Sequence, residues 1–190
     1  MKKHFIDKYT RSEILRHLRN QDWLVNEKCI RDKEYMECVY DILANPIFKE
    51  MNKYIQHGTT TTLKHCLDVS YVSYKICKSY GFDYRSAARG GLLHDLFLYD
   101  WHGYAKRTGN HFHGFTHPRV ALHNAKHYFE LTSKEKDIIL KHMWPLTVIP
   151  PKSIEGYVVM YADKYCGFIE TVKRISDNTV IMSKKVLKKA

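Results

Sequence analysis

The sequence predicts an all-α fold, a single helical bundle with additional helices at its N-terminal end. Three observations predict it. Apolar residues recur three and four positions apart in one segment after another, the period of a buried helix face. Helix-opening signals precede those segments: Thr-x-x-Glu boxes, an Asn-Pro pair and a lone Asp cap. No stretch alternates apolar and polar residues long enough to make a useful strand, and no internal repeat is present.

Taken in order, Thr10-Arg11-Ser12-Glu13 is a capping box that opens a helix through Ile14, Leu15 and Leu18. Met36, Val39, Tyr40 and Leu43 repeat at helical spacing. Asn45-Pro46 starts another helix, with proline at its first position, carrying Phe48, Met51 and Ile55. Gly58 and the threonine run 59–62 break it and cap the next. That helix holds Leu63, His65, Leu67, Tyr71 and Tyr74 and stops at Gly81. Asp83 caps the helix that carries His94-Asp95. Residues 101–116 contain three glycines and three histidines and read as a loop. His117-Pro118 opens a helix through Tyr128. Thr132-Ser133-Lys134-Glu135 is a second capping box, leading to Ile138, Ile139 and His142. Pro145, Pro150 and Pro151 mark a loop, and Ser153 starts a long helix with Val158, Val159, Ala162, Asp163 and Cys166. The expected organisation is a helical extension at 1–57 packed on a metal-binding core at 58–175, followed by a basic tail at 176–190.

Composition bounds the function. A chain of 190 residues that is 44% hydrophobic and 13% aromatic can bury one compact core. Thirty-one Lys and Arg against twenty Asp and Glu give a net charge of +11, which favours anionic partners: phosphate esters, nucleotides, nucleic acid or a membrane face. The five cysteines, Cys29, Cys38, Cys66, Cys77 and Cys166, form no C-x-x-C pair, so reduced thiols in a cytoplasmic protein are expected. No apolar run is long enough to span a membrane, and Met1-Lys2-Lys3-His4 is not followed by an apolar stretch, so neither a span nor a secretion signal is expected.

The most informative stretch is Leu92-Leu93-His94-Asp95-Leu96, a histidine and an aspartate inside an apolar helical run. Burying both without partners would cost several kcal/mol, and a divalent metal is an economical partner for the pair. Five successive helices each offer a metal-capable residue: His65, then His94 with Asp95, then His117, then His142, then Asp163. The steps of about 20–30 residues let antiparallel helices return to one level and point at a shared centre. His142 shares the stripe of Ile138 and Ile139, Asp163 follows Val159 and Met160, and His94 follows Gly90 and Gly91, which permit close approach. Four histidines and two aspartates exceed the needs of one metal with an open position. They suit two divalent transition ions (Fe, Mn, Zn or Co) bridged by Asp95 and a water.

The order His, His-Asp, His, His, Asp resembles the HD-domain superfamily of metal-dependent phosphohydrolases. The residues that carry the resemblance are His65 in Thr62-Leu63-Lys64-His65-Cys66-Leu67-Asp68-Val69, the run Gly91-Leu92-Leu93-His94-Asp95, and Asp163 in Met160-Tyr161-Ala162-Asp163-Lys164. It covers residues 57–172. His65, His94, Asp95 and Asp163 match the mononuclear core, and His117 and His142 match the two extra histidines of binuclear members. Many members continue as His-Asp-Ile-Gly-Lys, whereas this chain reads His94-Asp95-Leu96-Phe97-Leu98 and lacks that basic group.

The resemblance implies hydrolysis of a small, nucleotide-like phosphate ester or anhydride by metal-activated water, centred on Asp95. Lys164 resembles the Asp-Lys pairing of the superfamily and is the first expected phosphate contact. Lys106 and Arg107 in the Gly- and His-rich loop, Arg119 in the first turn of the His117 helix, and His57 are further expected contacts. His111 or His113 offers a spare ligand or acid, although His113 is expected to precede the helix. Trp101 and Tyr104 stack on a base or cover the core edge. Two other classes stay open: a di-iron oxygenase using the same six ligands, and a non-catalytic basic module that binds nucleic acid or signals.

Overall fold

The computed structural model describes residues 27–57, 59–101, 103, 109 and 112–187. The helix expected after Thr10 lies outside them. The described helices are α1 (Glu27–Arg31), α2 (Lys33–Ala44), α3 (Pro46–Glu50), α4 (Thr62–Ser79), α5 (Tyr84–Leu93), α6 (His113–Tyr128), α7 (Ser133–Lys141) and α8 (Ile154–Leu187). A single 3-10 turn at Met51–Lys53 and a small antiparallel pair, β1 (Ile55–His57) and β2 (Thr60–Thr61), join α3 to α4. The all-α expectation holds. No described helix is long and apolar enough to cross a membrane.

The helix starts follow from side chains that accept the otherwise unpaired first-turn N–H groups. Asp32 accepts from the Tyr35 N–H at 3.2 Å and also receives the Tyr74 hydroxyl at 3.2 Å, so the cap of α2 is tied to α4. Asn45 caps α3, Thr61 caps α4 and Asp83 caps α5. The Thr132–Glu135 capping box of α7 is present in both directions.

α4 and α5 pack most extensively, and α8 lies against both. One apolar cluster joins α2, α3, α4 and α5 through Tyr35, Ile42, Phe48, Leu63, Tyr74 and Leu92. A smaller one joins α4, α5, α7 and α8 through Val69, Ala87, Ile138 and Val159. Gly90 and Gly91 allow this closeness. A Cβ on Gly90 would meet Ile138 Cγ2 at 2.6 Å, and one on Gly91 would meet the Ser70 Cα at 3.0 Å. Buried Arg89 sits one residue earlier. Its guanidinium bonds Glu135 at 2.8 Å, Asp41 at 2.6 Å and the Cys38 carbonyl at 3.1 Å, tying α2, α5 and α7 together. All five cysteines are reduced and buried.

Three local expectations are corrected. Ile55, expected on the helix after Pro46, stands in β1 and is 39% exposed, because α3 ends at Glu50 and gives way to the 3-10 turn. α6 starts at His113, not at His117, so residues 101–116 are not loop throughout and Pro118 lies within the helix. Pro118 is the sixth residue of this helix, and lacking an N–H it leaves out one hydrogen bond of the ladder. Finally, His94 is the C-cap of α5, so Asp95 lies just beyond the helix rather than inside it.

Two predictions follow from this packing. Arg89→Leu strands Glu135 in the core and should cost about 3–5 kcal/mol in urea unfolding. Gly91→Val forces α5 off the backbone of α4 and should cost about 1–3 kcal/mol in the same measurement.

Candidate metal centre

The ends of α5 and α7 deliver their histidines in the same way. The last carbonyls of a helix have no intrahelical donor, and here an imidazole supplies one. His94 Nδ1 lies 2.7 Å from the Gly91 carbonyl, and His142 Nδ1 lies 2.9 Å from the Ile139 carbonyl. In α6, His117 Nδ1 lies 2.8 Å from the His113 carbonyl. In α4, His65 Nδ1 faces both oxygens of Glu170, at 3.1 and 3.2 Å. Each Nδ1 faces an oxygen acceptor and so is assigned the proton. In the neutral form that binds metal, each Nε2 is then left with a lone pair aimed into the centre, the arrangement typical of metal-ligating histidine.

The structure brings together His65, His94, Asp95, His117, His142 and Asp163, as their spacing predicts. His65 Nε2 is 3.0 Å and His94 Nε2 3.6 Å from Asp163 Oδ1. Asp95 stands between two groups. Its Oδ2 lies 3.3 Å from His94 Nε2, while its Oδ1 lies 3.1 Å from His117 Nε2 and 3.5 Å from His142 Nε2. His117 Nε2 and His142 Nε2 are 2.9 Å apart. His65, His94, Asp95 and His142 are nearly or wholly buried.

These residues fit divalent metal ions. His94 Nε2 and Asp95 Oδ1 are buried with no hydrogen-bond partner among the described residues. Lone pairs on nitrogen and carboxylate oxygen do not satisfy one another, whereas a cation satisfies all of them. The imidazole and carboxylate donors, with no thiolate among them, suit iron, manganese, zinc or cobalt. Two sets of three, His65–His94–Asp163 and His94–Asp95–His142, have ligand atoms close enough to hold an ion.

The electrostatics point the same way. Burial disfavours a charged His65, but Asp163 and Glu170 outweigh it and raise the ring to about 10. His94 is raised as well, burial being overcome chiefly by Asp95. Burial and the neighbouring His94 push His142 down to about 3, so its Nε2 stays a free donor to metal at neutral pH. Asp95 and Asp163 lie below the usual carboxylate range. Burial opposes this in both, and His94 for Asp95 and His65 for Asp163 prevail. The centre thus draws in positive charge.

The centre floors a cavity of about 900 Å³ lined by Asp95, His117, His142, Asp163, Gln56, His113, Trp101, Lys164 and Phe168, among others. That is a size suited to a small organic ligand. His65 and His94 are not in the lining, so the His117–His142 side faces the cavity and the other side lies deeper. The Lys164 ammonium lies 3.4 Å from the His142 carbonyl. His113, which the sequence places before the helix, is its first residue. Its Nδ1 is 2.9 Å from the Tyr99 hydroxyl, and its ring stacks on Trp101. Arg119 is exposed on α6 and does not line the cavity. The backbone of His57 ends β1, with its side chain outside the described residues, as are Lys106, Arg107, Tyr104 and His111.

Two residues escaped the sequence reading. Buried Gln56 donates its amide to Asp95 Oδ2 at 2.5 Å and is itself approached by the Thr62 hydroxyl at 3.4 Å. Glu170 orients His65. It lies two helical turns after Asp163 on the same face, a spacing that could have found it. No comparable signal marks Gln56.

The comparisons agree with the geometry. The HD domain family model matches residues 62–167. No curated protein and no solved structure matches the chain. The family match spans more than half of the sequence, and the protein belongs to the HD domain family, which implies membership of a superfamily of metal-dependent phosphohydrolases that bind divalent metals.

Proposed function

We propose that the protein is a binuclear metal-dependent phosphohydrolase acting on a small, nucleotide-like phosphate ester or anhydride. The observation that carries the reading is the division of Asp95 at the floor of the cavity, whose Oδ2 faces the His94 Nε2 while its Oδ1 faces the Nε2 atoms of His117 and His142. His65, His94 and Asp163 would hold one ion, His117 and His142 the other, with Asp95 shared. Bound ions of iron, manganese, zinc or cobalt would supply Lewis acidity and an activated water for displacement at phosphorus.

The chain's own groups do the rest. Carbonyl and carboxylate partners fix the four rings in one orientation, so little reorganisation is needed when charge develops. Gln56 steadies the Oδ2 side of Asp95. Lys164, on the cavity wall beside Asp163, offers a positive charge to a phosphoryl oxygen. Burial lowers its pKa, which Asp163 partly offsets. Trp101 and Phe168 give apolar walls against which a planar leaving group can lie. Lys106, Arg107 and His57 are proposed as further contacts from the chain before and within the loop. Arg119, exposed and off the lining, is proposed to act only at the outer rim.

A concave site of this size favours a small substrate over a nucleic-acid duplex. A di-iron oxygenase would use the same six donors, so oxygen is the discriminating reagent. Turnover of phosphate esters in strict anaerobiosis supports the hydrolase, and turnover only in oxygen overturns it.

Two predictions test the assignment. Asp95→Ala should lose metal, by elemental analysis, and lower hydrolysis on the order of 10³-fold, while circular dichroism keeps the helical signal. Continued hydrolysis by that variant would sink the mechanism. Lys164→Met should keep the metal and raise KM about tenfold, a loss of about 1.4 kcal/mol of binding. An unchanged KM would remove Lys164 from the phosphate site.

A further inference from the structure

α8 carries a second pattern that the metal centre does not use. Asp163 and Glu170 face inward, on His65. On the other side of the same helix, Tyr161, Tyr165, Phe168, Val172 and Ile175 are exposed by 65%, 59%, 65%, 44% and 61%. Their separations are four, three, four and three residues. Ile154, seven residues before Tyr161, is also exposed, by 52%. An apolar stripe with this alternation is the a/d seam of a helix that packs against another helix.

We infer that this seam is the surface on which two copies of the chain dimerise, α8 against α8. A second copy is the occupant because the seam must meet another of the same period, and α8 itself has one. Both surfaces are then the same patch related by a two-fold axis. None of the five stripe residues is charged, so the two copies bring no like charges together along it. The stripe is also narrow and in strict four-three register, whereas a helix lying on a lipid surface presents a broad apolar face.

The area suffices. Each aromatic side chain carries about 150–250 Å² of surface. With the five residues about half to two-thirds exposed, the pair buries on the order of 1,000 Å², where specific interfaces begin. Residues 171–176 are exposed throughout, so α8 has left the body of the protein there and is accessible to a partner. Phe168 lines the cavity as well as the seam, so the second copy borders the site.

The test is the mass in solution. Light scattering on a sizing column at about 50 μM, a concentration suited to an interface of threshold size, should give twice the chain mass of 22.5 kDa. The double variant Tyr165→Glu/Val172→Glu should halve that mass, with circular dichroism and metal content unchanged. Ile76→Glu, on the exposed side of α4, should leave the dimer intact. A wild-type chain of single mass overturns the inference, whether residues 1–26 or lipid vesicles then prove to cover α8. A double variant that stays dimeric overturns it too.

Discussion

Four imidazole Nε2 atoms and the oxygens of two carboxylates turn toward one another at the floor of the cavity. With each neutral ring protonated at Nδ1, the facing nitrogens and carboxylate oxygens are all acceptors and cannot satisfy one another. Positive charge at the middle is therefore the condition under which the five contributing helices can converge. The pKa directions express the same constraint. His65 and His94 are driven toward the charged form and the two aspartates are held ionised, while His142 is kept neutral.

The scaffold meets that constraint with inexpensive devices placed close together. Gly91 lets α5 approach the backbone of α4, and Gly90 makes room for the Ile138 side chain of α7, which sets where His94 emerges. Arg89, one residue before the two glycines, bonds α2 and α7 and prevents the same helix from sliding. Two helix ends then give unused carbonyls to imidazole rings, so the fold's leftover acceptors become the orienting groups of the site.

Much of this was legible in the chain. Helical periodicity placed α2, α4, α5, α7 and α8, and capping side chains marked most of their starts. The donor residues were legible because histidine and aspartate on apolar stripes demand a shared partner. Less legible was the start of α6. Pro118 usually opens a helix, and here the helix begins a turn earlier. Gln56 was hidden because it lies in a strand of only three residues, where no period can build up. Glu170 was overlooked because a carboxylate on a long polar helix reads as solvated surface. Its partner, His65, is 105 residues away in the chain.

Gln56 and Glu170 share one further property. Both fall outside residues 62–167, the stretch that the family pattern covers, one on each flank. They are nonetheless the side chains that aim Asp95 and His65. A fragment trimmed to the family's limits would retain every proposed metal donor while losing the two struts that steer a pair of them. The working unit of this protein is therefore wider than its recognisable signature, with its outermost braces borrowed from a hairpin on one side and a helix extension on the other.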